Sequence, residues 1–175
     1  MTKLANRLYL KGEVVQRHEA DDLLTEPGAA VLVKRGVLRS IVIACPDGCG
    51  EHLTINLDVR AGRAWRYYNR GSDVSLFPSI WRDSGCRSHF IVWRSRIYWC
   101  DWNEELDIPM EDVVAQVKLK LTSSFMGYVA LADQLDLVPW AVLSACNVLA
   151  RQGFAVAGVG DRRGQFKRAQ QAAQS

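Results

Sequence analysis

Side chains that bind soft metal ions are concentrated in one third of the chain. Four of the five cysteines and two of the three histidines lie between residues 45 and 100. Cys45 and Cys49 enclose Pro-Asp-Gly, and Gly48 permits the tight turn that would aim both sulfurs to one side. Cys86 and His89 form a second close pair. Zinc takes four tetrahedral nitrogen or sulfur ligands, so two such turns that meet across a sheet predict a Zn²⁺ site.

Two further residues are reserve ligands for this site. Cys100 ends an apolar stretch, where a cysteine is more often a buried core thiol, and His52 begins an alternating stretch, where a histidine is more often solvated. Cys146 falls on the inward face of a predicted helix and is expected to pack there.

A serine nucleophile is the second chemistry that these residues allow. Ser79 follows Pro78 at the end of a predicted strand, and Ser88 directly precedes His89. A catalytic serine needs a base within hydrogen-bonding reach. His89 cannot serve both chemistries, because a ring nitrogen that coordinates zinc cannot also accept a proton from serine. If His89 is the base, the metal takes another ligand, such as Cys100 or His52, or a water molecule.

A metal-dependent hydrolase is the third possibility. Three protein ligands and one water would make a hydrolytic zinc centre, although three thiolates would leave the zinc less electrophilic than histidine-rich sites do.

Short alternating stretches must position these residues. Apolar and polar residues alternate over much of residues 7–100, and two hairpins are predicted across Arg35-Gly36 and Arg94-Ser95. These features predict a small antiparallel sheet or barrel over residues 1–103.

From Pro109 the apolar period lengthens to that of a helix. One helix is predicted to begin at Pro109, a second to span residues 127–137, and a third to run from Pro139 until Gly153 stops it. The last two resemble those of a winged helix-turn-helix. The predicted fold class is α+β, with a β-rich zinc-binding domain (1–103), a three-helix winged-helix-like module (104–160) and a polar tail (161–175) that is loose or a frayed helix.

Charge bears on what this module binds. Residues 104–153 hold three Lys/Arg against seven Asp/Glu. The outward face of the third helix is predicted to show Trp140, Ser144, Asn147 and Arg151, which is too little positive charge for phosphate neutralisation. Protein contact is therefore the favoured role. Nucleic acid stays open through the basic residues that follow, namely Arg162, Arg163, Lys167 and Arg168.

Aromatic residues and arginines are interleaved around the cysteine motifs. The aromatic residues are Trp65, Tyr67, Tyr68, Phe77, Trp81, Trp93, Tyr98, Trp99 and Trp102, and the arginines are Arg63, Arg66, Arg70, Arg82, Arg87, Arg94 and Arg96. They could grip an extended peptide tail or single-stranded nucleic acid, or they could simply be sheet core and solvated strand faces.

Composition favours a cytoplasmic protein that has no membrane partner. The apolar runs in these 175 residues are far shorter than a membrane-spanning helix requires, and the N-terminus has no apolar signal core. Cysteines in the cytoplasm stay reduced, which favours metal binding over disulfides.

Four motifs occur in a fixed order between about residues 5 and 102. They are Cys-Pro-x-Gly-Cys-Gly, Pro-Ser-Ile, Cys-Arg-Ser-His-Phe-Ile and a closing Arg-Ile-Tyr-Trp. In this order they resemble a small bacterial family, catalogued as a domain of unknown function, whose genes lie beside ubiquitin-like conjugation genes.

The resemblance implies a serine-type peptidase that trims a ubiquitin-like protein or removes it from its conjugates. It makes Ser79 the first candidate nucleophile, His89 the base and Ser88 the weaker nucleophile candidate. The alternatives are a non-enzymatic zinc-binding adaptor or nucleic-acid-binding module, and the zinc-dependent hydrolase described above.

Overall fold

Short strands build the first of the two units into which the chain divides, Met1–Glu104. The structure is a computed structural model that describes residues 4–100 and 110–170. The strands of this unit are β1 (Tyr9–Val14), β2 (Ala29–Arg35), β3 (Val37–Ala44), β4 (His52–Asn56), β5 (Arg66–Arg70), β6 (Asp73–Phe77), β7 (Ile80–Trp81), β8 (His89–Trp93) and β9 (Arg96–Trp99).

The largest sheet has the strand order β1-β2-β3-β4. The hairpin predicted across Arg35-Gly36 joins β2 to β3, and Gly36 has the positive φ of 71° that the turn requires. An entirely antiparallel sheet was expected, but β1 pairs parallel with β2. The 3₁₀ helix Arg17–Leu23 lies between these two strands and lets the chain return in the same direction.

Both faces of this sheet are buried. Ala30, Leu32, Ile41 and Ile43 pack on one side in a cluster that includes Phe90 of β8. Val31, Val33 and Val42 pack on the other side against Ala20 and Leu24. Two buried faces explain why β2 and β3 are nearly continuous apolar runs.

Two smaller sheets complete this unit, β5-β6 and β7-β8-β9. The peptide bond between Phe77 and Pro78 is cis and lies between β6 and β7. The hairpin predicted across Arg94-Ser95 joins β8 to β9, and both residues have positive φ, at 47° and 57°. Ser79, immediately before β7, and His89, the first residue of β8, therefore lie next to neighbouring strands of one small sheet.

The second unit, Glu105–Ser175, contains the helices. Its elements are α1 (Glu111–Lys120), β10 (Met126–Gly127), α2 (Tyr128–Leu135), α3 (Pro139–Arg151), β11 (Ala155–Ala157) and β12 (Gln165–Arg168). The three strands form an antiparallel sheet with the order β10-β12-β11. The predicted helix start at Pro109 lies outside the described residues.

Two expectations for this unit are wrong. Residues 165–168 were expected to be loose or helical, but they form β12, which is anchored by Phe166 at 3% exposure. Trp140 and Ser144 were expected on the open face of α3, but both are buried, at 4% and 8% exposure. The surface that α3 shows to solvent is therefore smaller than the helical pattern predicted.

Among the described helices, none by itself has the length and apolar character needed to cross a membrane, whereas α2 and α3 meet that test only when they are taken together as a pair bent by 112°.

Candidate active site

The two residues proposed for acyl transfer lie at one end of the β7–β8 pair. Ser79 immediately precedes β7, and the register places Trp81 of β7 directly opposite His89 of β8. This pairing brings His89 Nε2 to 3.0 Å from Ser79 Oγ, within hydrogen-bonding distance. A serine hydroxyl and an imidazole nitrogen at this separation can transfer a proton between them.

Two indole rings hold this pair in place. Trp65 Nε1 donates a hydrogen bond to the backbone carbonyl of Ser79 at 3.2 Å. The ring of Trp81 stacks on the ring of His89, with the centroids 5.4 Å apart and the planes 22° from parallel. Ser79 is 8% exposed, so little of the residue is accessible to solvent.

An open cleft of about 520 Å³ leads to the serine. It is lined by Arg63, Trp65, Pro78, Ser79, Trp81 and Asp83. Two of these residues are tryptophans, and Arg63 and Asp83 supply one charge of each sign. Two indole faces for apolar contact and charged groups of both signs are features that can hold an extended peptide chain.

Three cysteines meet at a second place in the same unit. The sulfurs of Cys45, Cys49 and Cys86 all lie within 4.8 Å of one another, and those of Cys45 and Cys86 are 3.6 Å apart. These three residues could hold a metal ion. In the part of the chain that the structure describes, neither His89 nor Cys100 joins this group.

Ser88 belongs to the cysteine group. Its hydroxyl oxygen lies 3.3 Å from Cys86 Sγ and 3.5 Å from Cys45 Sγ, and the residue is 5% exposed. Its neighbour in sequence, His89, faces Ser79 instead, because adjacent residues of an extended chain point to opposite sides. The two candidate serines thus occupy different sites.

The surroundings of Cys45 and Cys86 shift the pKa values of their thiols in opposite directions. Burial raises the pKa of the Cys45 thiol to about 11. Burial also acts to raise the pKa of Cys86, but hydrogen bonds from the side chain and backbone of Ser88 and from Cys49 and Cys45 outweigh it and lower that pKa to about 7. Of these two thiols, Cys86 therefore reaches the metal-binding thiolate form more readily than Cys45.

Arg82 approaches the same sulfurs. Its Nη1 donates to Cys86 Sγ at 3.3 Å and to Cys49 Sγ at 3.7 Å, and its Nη2 lies 3.7 Å from a carboxylate oxygen of Glu51. The sequence indicated Arg82 only as one of several arginines near aromatic residues. Its position four residues before Cys86, in the same loop, was the available signal.

The reserve ligands lie elsewhere. His52 Nδ1 is 2.9 Å from Asp21 Oδ1. The backbone N–H of Cys100 donates to the carbonyl of His89 at 3.1 Å and extends the β8–β9 ladder. Cys146 is fully buried in α3, and burial raises its pKa to about 12, as expected for a packing residue.

Known proteins were compared with this chain at three levels: curated sequences, solved structures and family models. No curated protein and no solved structure matches the chain. A family model does match, over a segment that contains the three clustered cysteines, Ser79 and His89. As the motifs predicted, residues 15–100 of this chain match the family described as bacterial ubiquitination-like system serine protease (BubE).

Proposed function

We propose that this chain is a serine peptidase that trims a ubiquitin-like protein or releases it from its conjugates. The observation that carries the proposal is the 3.0 Å separation of Ser79 Oγ and His89 Nε2. The matched family supports the reaction type and a partner from a ubiquitination-like system.

The two residues have complementary roles in the proposed reaction. Ser79 Oγ attacks the scissile carbonyl carbon while His89 Nε2 accepts the hydroxyl proton. The tetrahedral intermediate then collapses to an acyl-enzyme, and His89 returns the proton to the leaving amine. A water molecule, deprotonated by the same nitrogen, hydrolyses the ester and regenerates Ser79.

The cleft suggests how the substrate reaches the serine. We expect the substrate's extended C-terminal tail to lie between Trp65 and Trp81, with Arg63 available to a carboxylate on the substrate. Because Ser79 is only 8% exposed, we expect an extended tail, rather than the surface of a globular domain, to reach it.

The cysteine group is proposed as a structural Zn²⁺ site. The sulfurs of Cys45, Cys49 and Cys86 are close enough to bind one ion together. Zinc held there would supply a cross-link between the turn after β3 and the turn before β8. A hydrolytic role fits less well, because three thiolates reduce the electrophilicity of zinc.

The second unit is proposed to be a winged-helix-like module that contacts protein. Its element order α1-β10-α2-α3-β11-β12 and its three-stranded antiparallel sheet support the winged-helix assignment. Burial of Trp140 and Ser144 argues against insertion of α3 into a DNA groove.

Two single variants test the peptidase proposal. Ser79→Ala and His89→Ala should both abolish cleavage of a ubiquitin-like protein that carries a C-terminal extension, while bound zinc, measured by elemental analysis, stays at the wild-type level. Ser84→Ala is a matched control, since Ser84 is exposed in the loop that follows β7. If Ser79→Ala cleaves normally, or if His89→Ala loses the metal, the assignment of these two residues is wrong.

A further inference from the structure

Arg82 is the side chain that connects the cysteine group to the strand of the candidate nucleophile. It follows Trp81 at the end of β7, three residues after Ser79. Its side chain is 17% exposed, although arginine is usually a solvated residue. Its guanidinium makes the two hydrogen bonds to Cys49 and Cys86 given above.

We propose that Arg82 is the counter-charge of a metal ion bound by Cys45, Cys49 and Cys86, and that it sets how tightly this chain retains the metal. Three thiolates around a divalent ion leave one net negative charge. A guanidinium in direct contact with two of the sulfurs neutralises that charge where water is partly excluded.

The geometry of the contact requires arginine rather than any cation. Nη1 of the planar guanidinium donates to both sulfurs, while Nη2 lies 3.7 Å from a carboxylate oxygen of Glu51. A lysine ammonium is a single point charge and cannot match this spread. Gly85 contributes to the fit, because a Cβ added there would lie 3.1 Å from Arg82 Nη2.

The backbone of Arg82 connects the metal group to His89. The N–H of Arg82 donates to the carbonyl of Ser88 at 3.0 Å, one step beyond the pair Trp81–His89. The side chain of Ser88 in turn contacts Cys45 and Cys86. Loss of the metal would therefore loosen both segments that carry Ser79 and His89. We expect this loosening to slow cleavage, and that expectation rests on the proposed peptidase function.

The primary test is metal affinity, which does not depend on catalysis. Zn²⁺ is titrated into full-length protein in competition with a chromophoric chelator, for the wild type, Arg82→Gln, Arg82→Lys and Arg87→Gln. Arg87 is exposed and adjoins Cys86, so Arg87→Gln removes the same charge from the same loop without removing a contact with sulfur.

We expect Arg82→Gln to weaken zinc binding by about 10- to 100-fold, as loss of an outer partner of a metal ligand does. Arg82→Lys should fall between Arg82→Gln and the wild type, and Arg87→Gln should bind as the wild type does. Circular dichroism in excess zinc checks that each variant folds. Co²⁺ absorption in the thiolate charge-transfer region reports the sulfur ligands directly.

Several outcomes overturn the proposal. If Arg82→Gln binds zinc as tightly as the wild type, Arg82 has no effect on metal affinity. If Arg87→Gln loses as much affinity as Arg82→Gln, the effect is one of net charge and not of the contact with sulfur. Failure of the folded wild type to bind zinc also overturns it. If Arg82→Gln loses affinity as expected but the zinc-loaded wild type does not cleave the ubiquitin-like precursor, only the peptidase proposal fails. If both proposals hold, excess zinc restores cleavage by Arg82→Gln.

Discussion

Replacement of Trp81 by alanine should slow catalysis at little cost in stability. Trp81 is 70% exposed, so its removal exposes little new apolar surface and should lower the free energy of unfolding by no more than its stacking energy, about 1.5 kcal/mol. Its ring nevertheless stacks on that of His89 with centroids 5.4 Å apart. An aromatic pair of this kind contributes about 0.5–1.5 kcal/mol.

We assume that this stacking energy holds the imidazole in its reactive orientation, and the expected change in kcat follows from it. At about 1.36 kcal/mol for each tenfold change in rate, kcat of Trp81→Ala should fall about 2- to 12-fold. Trp81→Phe keeps an aromatic face and should recover most of the rate. Because Trp81 also lines the cleft, KM is expected to rise in both variants, more in Trp81→Ala.

Steady-state cleavage of the ubiquitin-like precursor gives kcat and KM, and urea unfolding gives the stability. Val59→Ala serves as the control, because Val59 is an exposed apolar residue of the same unit, at 79%, and does not line the cleft. A wild-type kcat in Trp81→Ala would refute the positioning role of the indole. A phenylalanine variant as slow as the alanine variant would refute the stacking argument.

Three further predictions concern stability and reactivity. Phe90→Ala should cost about 3–5 kcal/mol in urea unfolding, because Phe90 is fully buried between the sheets; a loss below 1 kcal/mol would contradict this core. Hydrogen bonds from Arg60 hold the pKa of Asp58 well below its usual range, so the ionised carboxylate stabilises the folded state above the unfolded pKa of about 3.9. Asp58→Asn should therefore be less stable than the wild type at pH 7, and the difference should shrink as pH falls below about 4; a difference that is constant with pH would contradict it. Burial raises the pKa of Cys146 to about 12, so iodoacetamide at about pH 8 should label this thiol only after unfolding, as mass spectrometry would detect.

Local patterns predicted many of the elements. The alternating residues and the turns at Arg35-Gly36 and Arg94-Ser95 predicted the hairpins β2–β3 and β8–β9, because hairpin pairing is decided by neighbouring residues. The helices α2 and α3 follow from their apolar period and from Pro139.

Non-local packing accounts for the elements that were mispredicted. The parallel pairing of β1 with β2 depends on the path of the intervening chain, which strand patterns do not encode. β12 is polar except for Phe166, and one buried anchor gives no period to detect. Trp140 lies on the face of α3 that looked open from the helical pattern, yet tertiary structure buries it.

The candidate site was also predicted only in part. The spacing of Cys45 and Cys49 predicted a shared turn. Their proximity to Cys86 was expected from pairing within one sheet, but β3 and β8 belong to different sheets, which pack together through a shared core. The sequence left His89 with two competing roles. The register of β7 and β8 places its Nε2 beside Ser79, and that register depends on the length and shape of the loop that carries Arg82.

Covalent labelling of the nucleophile tests the central claim most directly. A fluorophosphonate probe reacts with a serine whose hydroxyl is activated by a neighbouring base. Mass spectrometry of the digested protein should find the probe on Ser79, and labelling should disappear in His89→Ala. The serine mechanism would be contradicted if the precursor is cleaved although Ser79 stays unlabelled, and if that cleavage stops when zinc is removed from protein that remains folded.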